Sequence, residues 1–264
     1  MALSVDRDWS PEEHKWTMLL DTAEPIGVDA PDGDGLAGAV VLGRYGSTRA
    51  SAGMMLVAAR YGRQGLGRTL LLHLLDMAGD ATVTLFATEE GRPLYEKLGF
   101  VPVRRSAQFV GDFPGERPGS AEITIREATE GDLPTLLKLD EEAFGEDRSA
   151  FVRRLPSFAS RILISGAVGA VSGYGAAWDN GGMSVIGPVI APDEAAARAL
   201  ITALASRAPG PVRLDLDPDR PGLPAWARAH GLTERSATTV MTRGPIDCLG
   251  DPDRLYTPIS VALT

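Results

Sequence analysis

Apolar positions fall into short runs that alternate with amphipathic stretches of helix length. Met54-Met55-Leu56-Val57-Ala58-Ala59 suits a buried strand, and Leu70-Leu71-Leu72-His73-Leu74-Leu75 suits a helix with a wide apolar face. A strand ends near Ala87, a short helix covers roughly Arg92 to Leu98, and Gly99 stands as its C′ residue. Ahead of these, Glu24-Pro25-Ile26-Gly27-Val28 reads as a strand. Before it, Pro11 to Leu20 reads as a helix with Ser10 as N-cap. Past Phe109, the run Gly111 to Ser120 is a Gly/Pro-rich linker. Then Glu122 to Arg126 alternates as a half-exposed strand, and Asp132 to Phe144 is a helix with Leu133, Leu136, Leu137 and Leu139 apolar. Arg161 to Pro192 reads as three strands, with turns near Val168 and at Asp179-Asn180-Gly181-Gly182. An alanine-rich helix, Glu194 to Ala205, and a strand, Val212 to Leu216, follow. The pattern predicts a mixed α/β fold.

Chemistry concentrates at the first strand-to-helix junction, Arg60-Tyr61-Gly62-Arg63-Gln64-Gly65-Leu66-Gly67-Arg68-Thr69. Gly65 and Gly67 permit close backbone approach, and first-turn N–H groups have no partner inside a helix. Those donors attract phosphate oxygens, with Arg63 and Arg68 adding charge. The spacing is neither the dinucleotide G-x-G-x-x-G nor the nucleotide G-x-x-x-x-G-K-[ST].

The loop resembles the pyrophosphate loop of the GNAT superfamily of N-acetyltransferases, [Q/R]-x-x-G-x-[G/A], through Arg63, Gln64, Gly65, Leu66 and Gly67. Gly62 departs from the pattern where Gln or Arg is usual; Arg60 or Arg63 is the candidate replacement donor. A second segment, Leu94-Tyr95-Glu96-Lys97-Leu98-Gly99-Phe100, is similar to the stretch whose tyrosine points at the coenzyme sulfur in that family. The resemblance implies acetyl-CoA as co-substrate. Its pyrophosphate would lie on Gly62 to Thr69, and its pantetheine arm along Met55, Leu56 and Val57. Tyr95 would be the acid at the sulfur, and a strand N–H near Leu56 the oxyanion donor. A splay of this strand from its neighbour is implied in the same way. Relatives carry a glutamate on the central strand, where this chain has Gly53, Met54 and Met55, so Glu89 and Glu90 are the candidate bases. Without the resemblance, Tyr95 also reads as a core aromatic and the two glutamates as carboxylates at a helix start.

The same plan recurs at an offset of about 130 residues, which suits tandem domains, 1–118 and 119–264, each a twisted mixed sheet flanked by helices. The second copy has lost the chemistry. Its loop, Pro192-Asp193-Glu194, has no glycine and puts carboxylates where a pyrophosphate needs positive charge, and Ala227 aligns with Tyr95. The two carboxylates read as helix caps. Its Ala-rich helix and Met241-Thr242-Arg243-Gly244 ending resemble a degenerate C-terminal domain of one bacterial subgroup. The first copy reads as lacking its opening strand and helix. A natural loss, a strand donated by a neighbour and a late start assignment all stay open.

Composition narrows the partners. A net charge of −9 over 264 residues argues against nucleic acid or an anionic membrane and is compatible with a cationic amine acceptor. Single Cys248 excludes an internal disulfide and gives no metal cluster. No signal peptide and no membrane-spanning run is read, so a cytoplasmic monomer or homodimer is expected. His14, His73 and His230 read as surface or structural residues. Two functions remain: an N-acetyltransferase acting on a small-molecule primary amine through direct attack and a tetrahedral intermediate, or a non-catalytic acyl-CoA-binding sensor or assembly protein.

Overall fold

The computed structural model describes residues 2–7, 12–114, 123–167, 170–245, 251 and 253–262. Ser10, Pro11, most of the expected linker, Glu122, the turn at Val168 and Cys248 lie outside the described residues.

In the first half, α1 (Ala2–Asp6) and α2 (Glu13–Thr22) precede β1 (Glu24–Asp29), β2 (Leu36–Tyr45) and β3 (Arg49–Val57). Helix α3 (Leu66–Ala78) leads to β4 (Thr82–Ala87), and α4 (Arg92–Lys97) leads to β5 (Val101–Gly111). The second half opens with β6 (Thr124–Glu127), α5 (Leu133–Phe144), α6 (Ser149–Val152) and α7 (Leu155–Phe158). Strands β7 (Arg161–Ala167), β8 (Ala170–Asp179) and β9 (Ser184–Ile190) come next. They are followed by α8 (Glu194–Ala205), β10 (Val212–Leu216), α9 (Leu223–Ala229), β11 (Thr233–Arg243) and β12 (Leu255–Thr257). The order from β1 to β5 therefore recurs from β7 to β11, with α8 and α9 in the places of α3 and α4.

All strands join one sheet, in the order β1-β2-β3-β4-β11-β5-β10-β9-β8-β7-β6, with β12 beside β9. The halves exchange their last long strands. β11 inserts between β4 and β5, with Met241 opposite Leu85, and β5 pairs with β10, with Leu214 opposite Phe109. Neither half's sheet is completed by its own strands alone. In the second half β6 pairs with the outer side of β7; on the outer side of β1 no described strand is found.

Three apolar clusters fix the layers. Leu70, Leu71 and Leu74 of α3 pack on Val40, Leu42, Val83 and Leu85. Leu200, Ile201 and Leu204 of α8 pack likewise on Ile186, Val189 and Leu214. Each such side chain, fully buried, contributes about 1.5–3 kcal/mol. On the opposite sheet face Met18, Leu19, Leu56, Leu136, Phe151, Trp178 and Ile259 form a cluster drawn from both halves. Gly99 ends α4 at φ 84°, the left-handed C′ position its sequence predicts. No helix among the described residues is long and apolar enough to cross a membrane.

A fully buried ion pair ties α5 to the loop before α6. Arg148 donates two bonds to Asp140, at 2.7 and 2.8 Å, and Tyr174 donates a third at 2.5 Å. Burial opposes the guanidinium charge, but Asp140 outweighs it and holds the pKa above its ordinary value. Asp140→Asn leaves that cation uncompensated and should cost about 3–5 kcal/mol in urea unfolding. A change below about 1 kcal/mol would show the pair to be expendable.

Candidate active site

Strands β3 and β4 run parallel, paired from Arg49 opposite Thr82 to Ala52 opposite Leu85, and then part. β3 continues from Gly53 to Val57 with no described partner on that side. The departure coincides with a bulge against β2, where Met54 takes φ 49°. Ala58 N–H bonds Ala37 O at 2.9 Å. Strand alternation then turns Leu56 toward β2 and turns the N–H and C=O groups of Met55 and Val57 into the gap. Of the strand N–H groups around Leu56, those of Met55 and Val57 are thus the ones that face the gap. Such an open strand edge can pair with an extended ligand arm.

Helix α3 starts at the mouth of this gap. A single 3₁₀ turn over Ala59–Tyr61 is followed by two left-handed residues, Arg63 at φ 60° and Gly65 at φ 85°. Gly65 is the N-cap and offers no side-chain acceptor. Thr69 N–H bonds Gly65 O at 3.0 Å, which leaves the N–H groups of Leu66, Gly67 and Arg68 pointing outward. Arg63 and Arg68 are exposed and have no ion-pair partner among the described residues. Arg60 is committed elsewhere: it pairs with Asp32 at 3.2 Å and donates to Asp34 O at 2.7 Å. Arg63 is therefore the side chain free to compensate for Gly62. A Cβ on Gly67 would lie 3.6 Å from both Val57 Cγ2 and Leu94 Cδ2, so a side chain there would fill the groove. Free amides, two cations and an unpaired strand edge in one line fit a pyrophosphate continued by an extended pantetheine arm.

Tyr95 sits on α4 with its ring 9% exposed and edge-on to Phe100, ring centroids 6.0 Å apart. Its ring is core, and its hydroxyl lies beside Gly91 without a bonding partner among the described residues. Burial pushes the phenol pKa up to about 12. Glu89 and Glu90 occupy the exposed turn before α4, and Glu90 pairs with Arg7 at 3.5 Å. Nothing in the fold buries either carboxylate. His14 donates from Nε2 to Phe158 O and stacks on its ring, His73 is exposed, and His230 packs on Trp226 and Phe113.

The second half has the same gap, filled by its own chain. β9 and β10 pair only at Ser184–Val212 and Val185–Arg213. Beyond that point β12 takes up the free side of β9, with Leu255 opposite Ile190 and Ala191 N–H bonded to Arg254 O at 3.0 Å. At the start of α8, Asp193 caps Ala196 N–H at 2.8 Å and Glu194 pairs with Arg198. A Cβ on Gly222 would strike the Glu194 carboxylate, so this side chain fills the space before α9. Ala227, in the position of Tyr95, is fully buried.

From β12 the chain returns to the first half across the face opposite α3. Ile259 O accepts from Trp178 Nε1 at 3.1 Å, and Ala262 O lies against Gly53. Beside it lies a partly open cavity between the halves, with Thr84, Phe86, Arg104, Leu216 and Tyr256 among its lining. Sequence reasoning missed both β12 and this cavity. Only the β-prone triplet Leu255-Tyr256-Thr257 signalled the first.

Comparison with known proteins identifies the family. Profiles described as acetyltransferase (GNAT) domains match residues 28–102 and, separately, 136–257. An uncharacterized N-acetyltransferase of Bacillus subtilis, YitH, is 31% identical over 222 residues, 82% of this chain and 76% of that one. In fold, the chain is similar to a Pyrococcus horikoshii protein provisionally assigned as an acetyltransferase. The TM-score is 0.80 at 18% identity, covering 96% of this chain and 85% of the other. It is also similar to a tandem GNAT protein from the clavulanic acid biosynthesis pathway, with TM-score 0.63, 16% identity and coverage of 92% and 93%. With two matched domains and a relative above 30% identity over 82% of this chain, the chain belongs to the GNAT acetyltransferase family as a tandem member.

Proposed function

We propose that the protein transfers the acetyl group of acetyl-CoA to the primary amine of a small molecule by direct attack. The observation that carries this is the contrast between the halves. The first presents an unpaired strand edge beside a bare helix start, and the second has filled its equivalent; Tyr95 is taken to reach the sulfur from α4.

In this reading the α3 amides, Arg63 and Arg68 hold the pyrophosphate, while Met55 and Val57 hydrogen-bond the pantetheine arm. As the amine nitrogen attacks the thioester carbon, an N–H from β3 receives the developing oxyanion. Collapse of the tetrahedral intermediate breaks the C–S bond, and Tyr95 donates a hydrogen bond to the departing sulfur. The amine must arrive neutral, which costs on the order of 4 kcal/mol at pH 7 for an amine of pKa about 10. Glu89 and Glu90, in the exposed turn before α4, are the carboxylates proposed to take its proton, directly or through water. The second half shapes the acceptor side, and a cytoplasmic monomer or homodimer completes the reading.

CoA release during incubation of acetyl-CoA with an amine library tests it. Acceptor-dependent release matched by acetylated product is expected. Tight acetyl-CoA binding with no release for any amine would instead favour the non-catalytic binder.

A further inference from the structure

The cavity between the halves is walled by β3, β4, β5, β10, β11 and the returning C-terminal segment, so the strand exchange itself builds it. Its cations are unequally engaged. Arg105 pairs with Asp219 at 3.1 Å and with Glu234 at 3.8 Å, and Arg220 pairs with Asp253 at 3.0 Å. Asp215 is neutralised by two bonds from Arg213, both 2.9 Å. Arg104 is different. Half-buried on β5, it has no hydrogen-bond or ion-pair partner among the described residues, and Asp217 acts on it only at longer range. Across the cavity, Arg49 is partly engaged: one Nη donates to Phe144 O and the guanidinium lies 5.4 Å from the Phe144 ring centroid, while its buried Nε has no acceptor.

A guanidinium keeps its charge in any protein environment, so a partly desolvated one with open donors favours an anion. Arg49 and Arg104 together outweigh Asp217, the one lining carboxylate without a cation bonded to it. Phe86, Phe144, Leu216 and Val240 give the cavity an apolar wall. Phe86 is one residue beyond Leu85, the last residue of β4 paired with β3, so the cavity floor reaches the place where the gap opens.

We infer that this cavity receives the acceptor, and that Arg104, with Arg49, binds an anionic group, carboxylate or phosphate, carried by the amine. The inference rests on the transfer reading above. The amine lies at the Phe86 end, the anion at Arg104, and the carbon body against the apolar wall between them.

The test compares primary amines with and without an anion: L-amino acids against their decarboxylated amines, and β-alanine and phosphoethanolamine against ethylamine. Wild-type protein should show higher kcat/KM for anionic acceptors, and the better of β-alanine and phosphoethanolamine identifies the anion. Arg104→Gln should raise KM for those acceptors about 10- to 100-fold, with kcat within about threefold and neutral amines unaffected. Arg104→Lys should recover part of the loss. Thermal unfolding should not fall in Arg104→Gln, because no bonded partner is lost. Preference of the wild type for neutral amines, or an unchanged KM in Arg104→Gln, would overturn the inference. If no amine is acetylated, the transfer reading fails, and calorimetry of N-acetyl-L-amino acids against their amides decides the site separately. Tighter binding of the acids, lost in Arg104→Gln, would uphold it, and equal or absent binding would overturn it.

Discussion

Removing the Tyr95 hydroxyl with Tyr95→Phe should lower kcat by about 10²- to 10⁴-fold and leave acetyl-CoA affinity near the wild-type value. The ring packs against Phe100 inside the α3 cluster, and phenylalanine preserves that packing. No described group bonds the hydroxyl, so its loss orphans nothing and stability should hold. The size of the effect follows from where charge appears, since the oxygen is useful only once sulfur becomes negative. Burial raises the phenol pKa to about 12, whereas a free thiol has about 8.5. Full proton transfer from Tyr95 would then be uphill by about 5 kcal/mol, so the hydroxyl works as a donor to the forming thiolate. The phenol also stays protonated throughout the neutral and mildly basic range, and no fall in rate from Tyr95 ionisation is expected there. Normal turnover in a folded Tyr95→Phe, with chemistry rate-limiting, would reduce Tyr95 to a core aromatic.

Gly65→Glu should abolish acetyl-CoA binding. A Cβ at this position meets nothing within 4 Å, so the added side chain is not excluded by bulk. Two other costs apply. The left-handed φ of 85° strains any L residue by about 1–2 kcal/mol, and the new carboxylate stands at the helix start where phosphate oxygens would bind. Gly65→Gln carries the same strain without the charge and separates the two. We expect Gln to weaken binding modestly and Glu to eliminate it, both measured by calorimetry on protein of native circular dichroism. Equal, wild-type dissociation constants in both variants would place the coenzyme elsewhere.

Much of the first site was legible because its determinants are local. The apolar run before the loop, the Gly65-Leu66-Gly67 spacing and the Leu94 to Phe100 segment each specify their own geometry within a few residues. Gly99 announced its φ, and Asp193 its cap. The departure of β3 from β4 was expected only through resemblance; the structure adds its visible mark, the left-handed Met54. The strand exchange was illegible for a physical reason. Nothing in the residues of Thr233 to Arg243 says that the strand they form has β4 and β5 as its neighbours. The cavity inherits that blindness, since Arg49, Arg104 and Asp217 meet only after the exchange. β12 is three residues long, too short for any periodicity, and its place is set by the unpaired side of β9.

Calorimetric titration with acetyl-CoA tests the central claim most directly, because the two halves share a fold and differ in whether the gap is free. The account predicts one site per chain, lost in Gly65→Glu. Two sites per chain, or a single site that survives Gly65→Glu, would show that β12 and Glu194 do not close the second half and would contradict it.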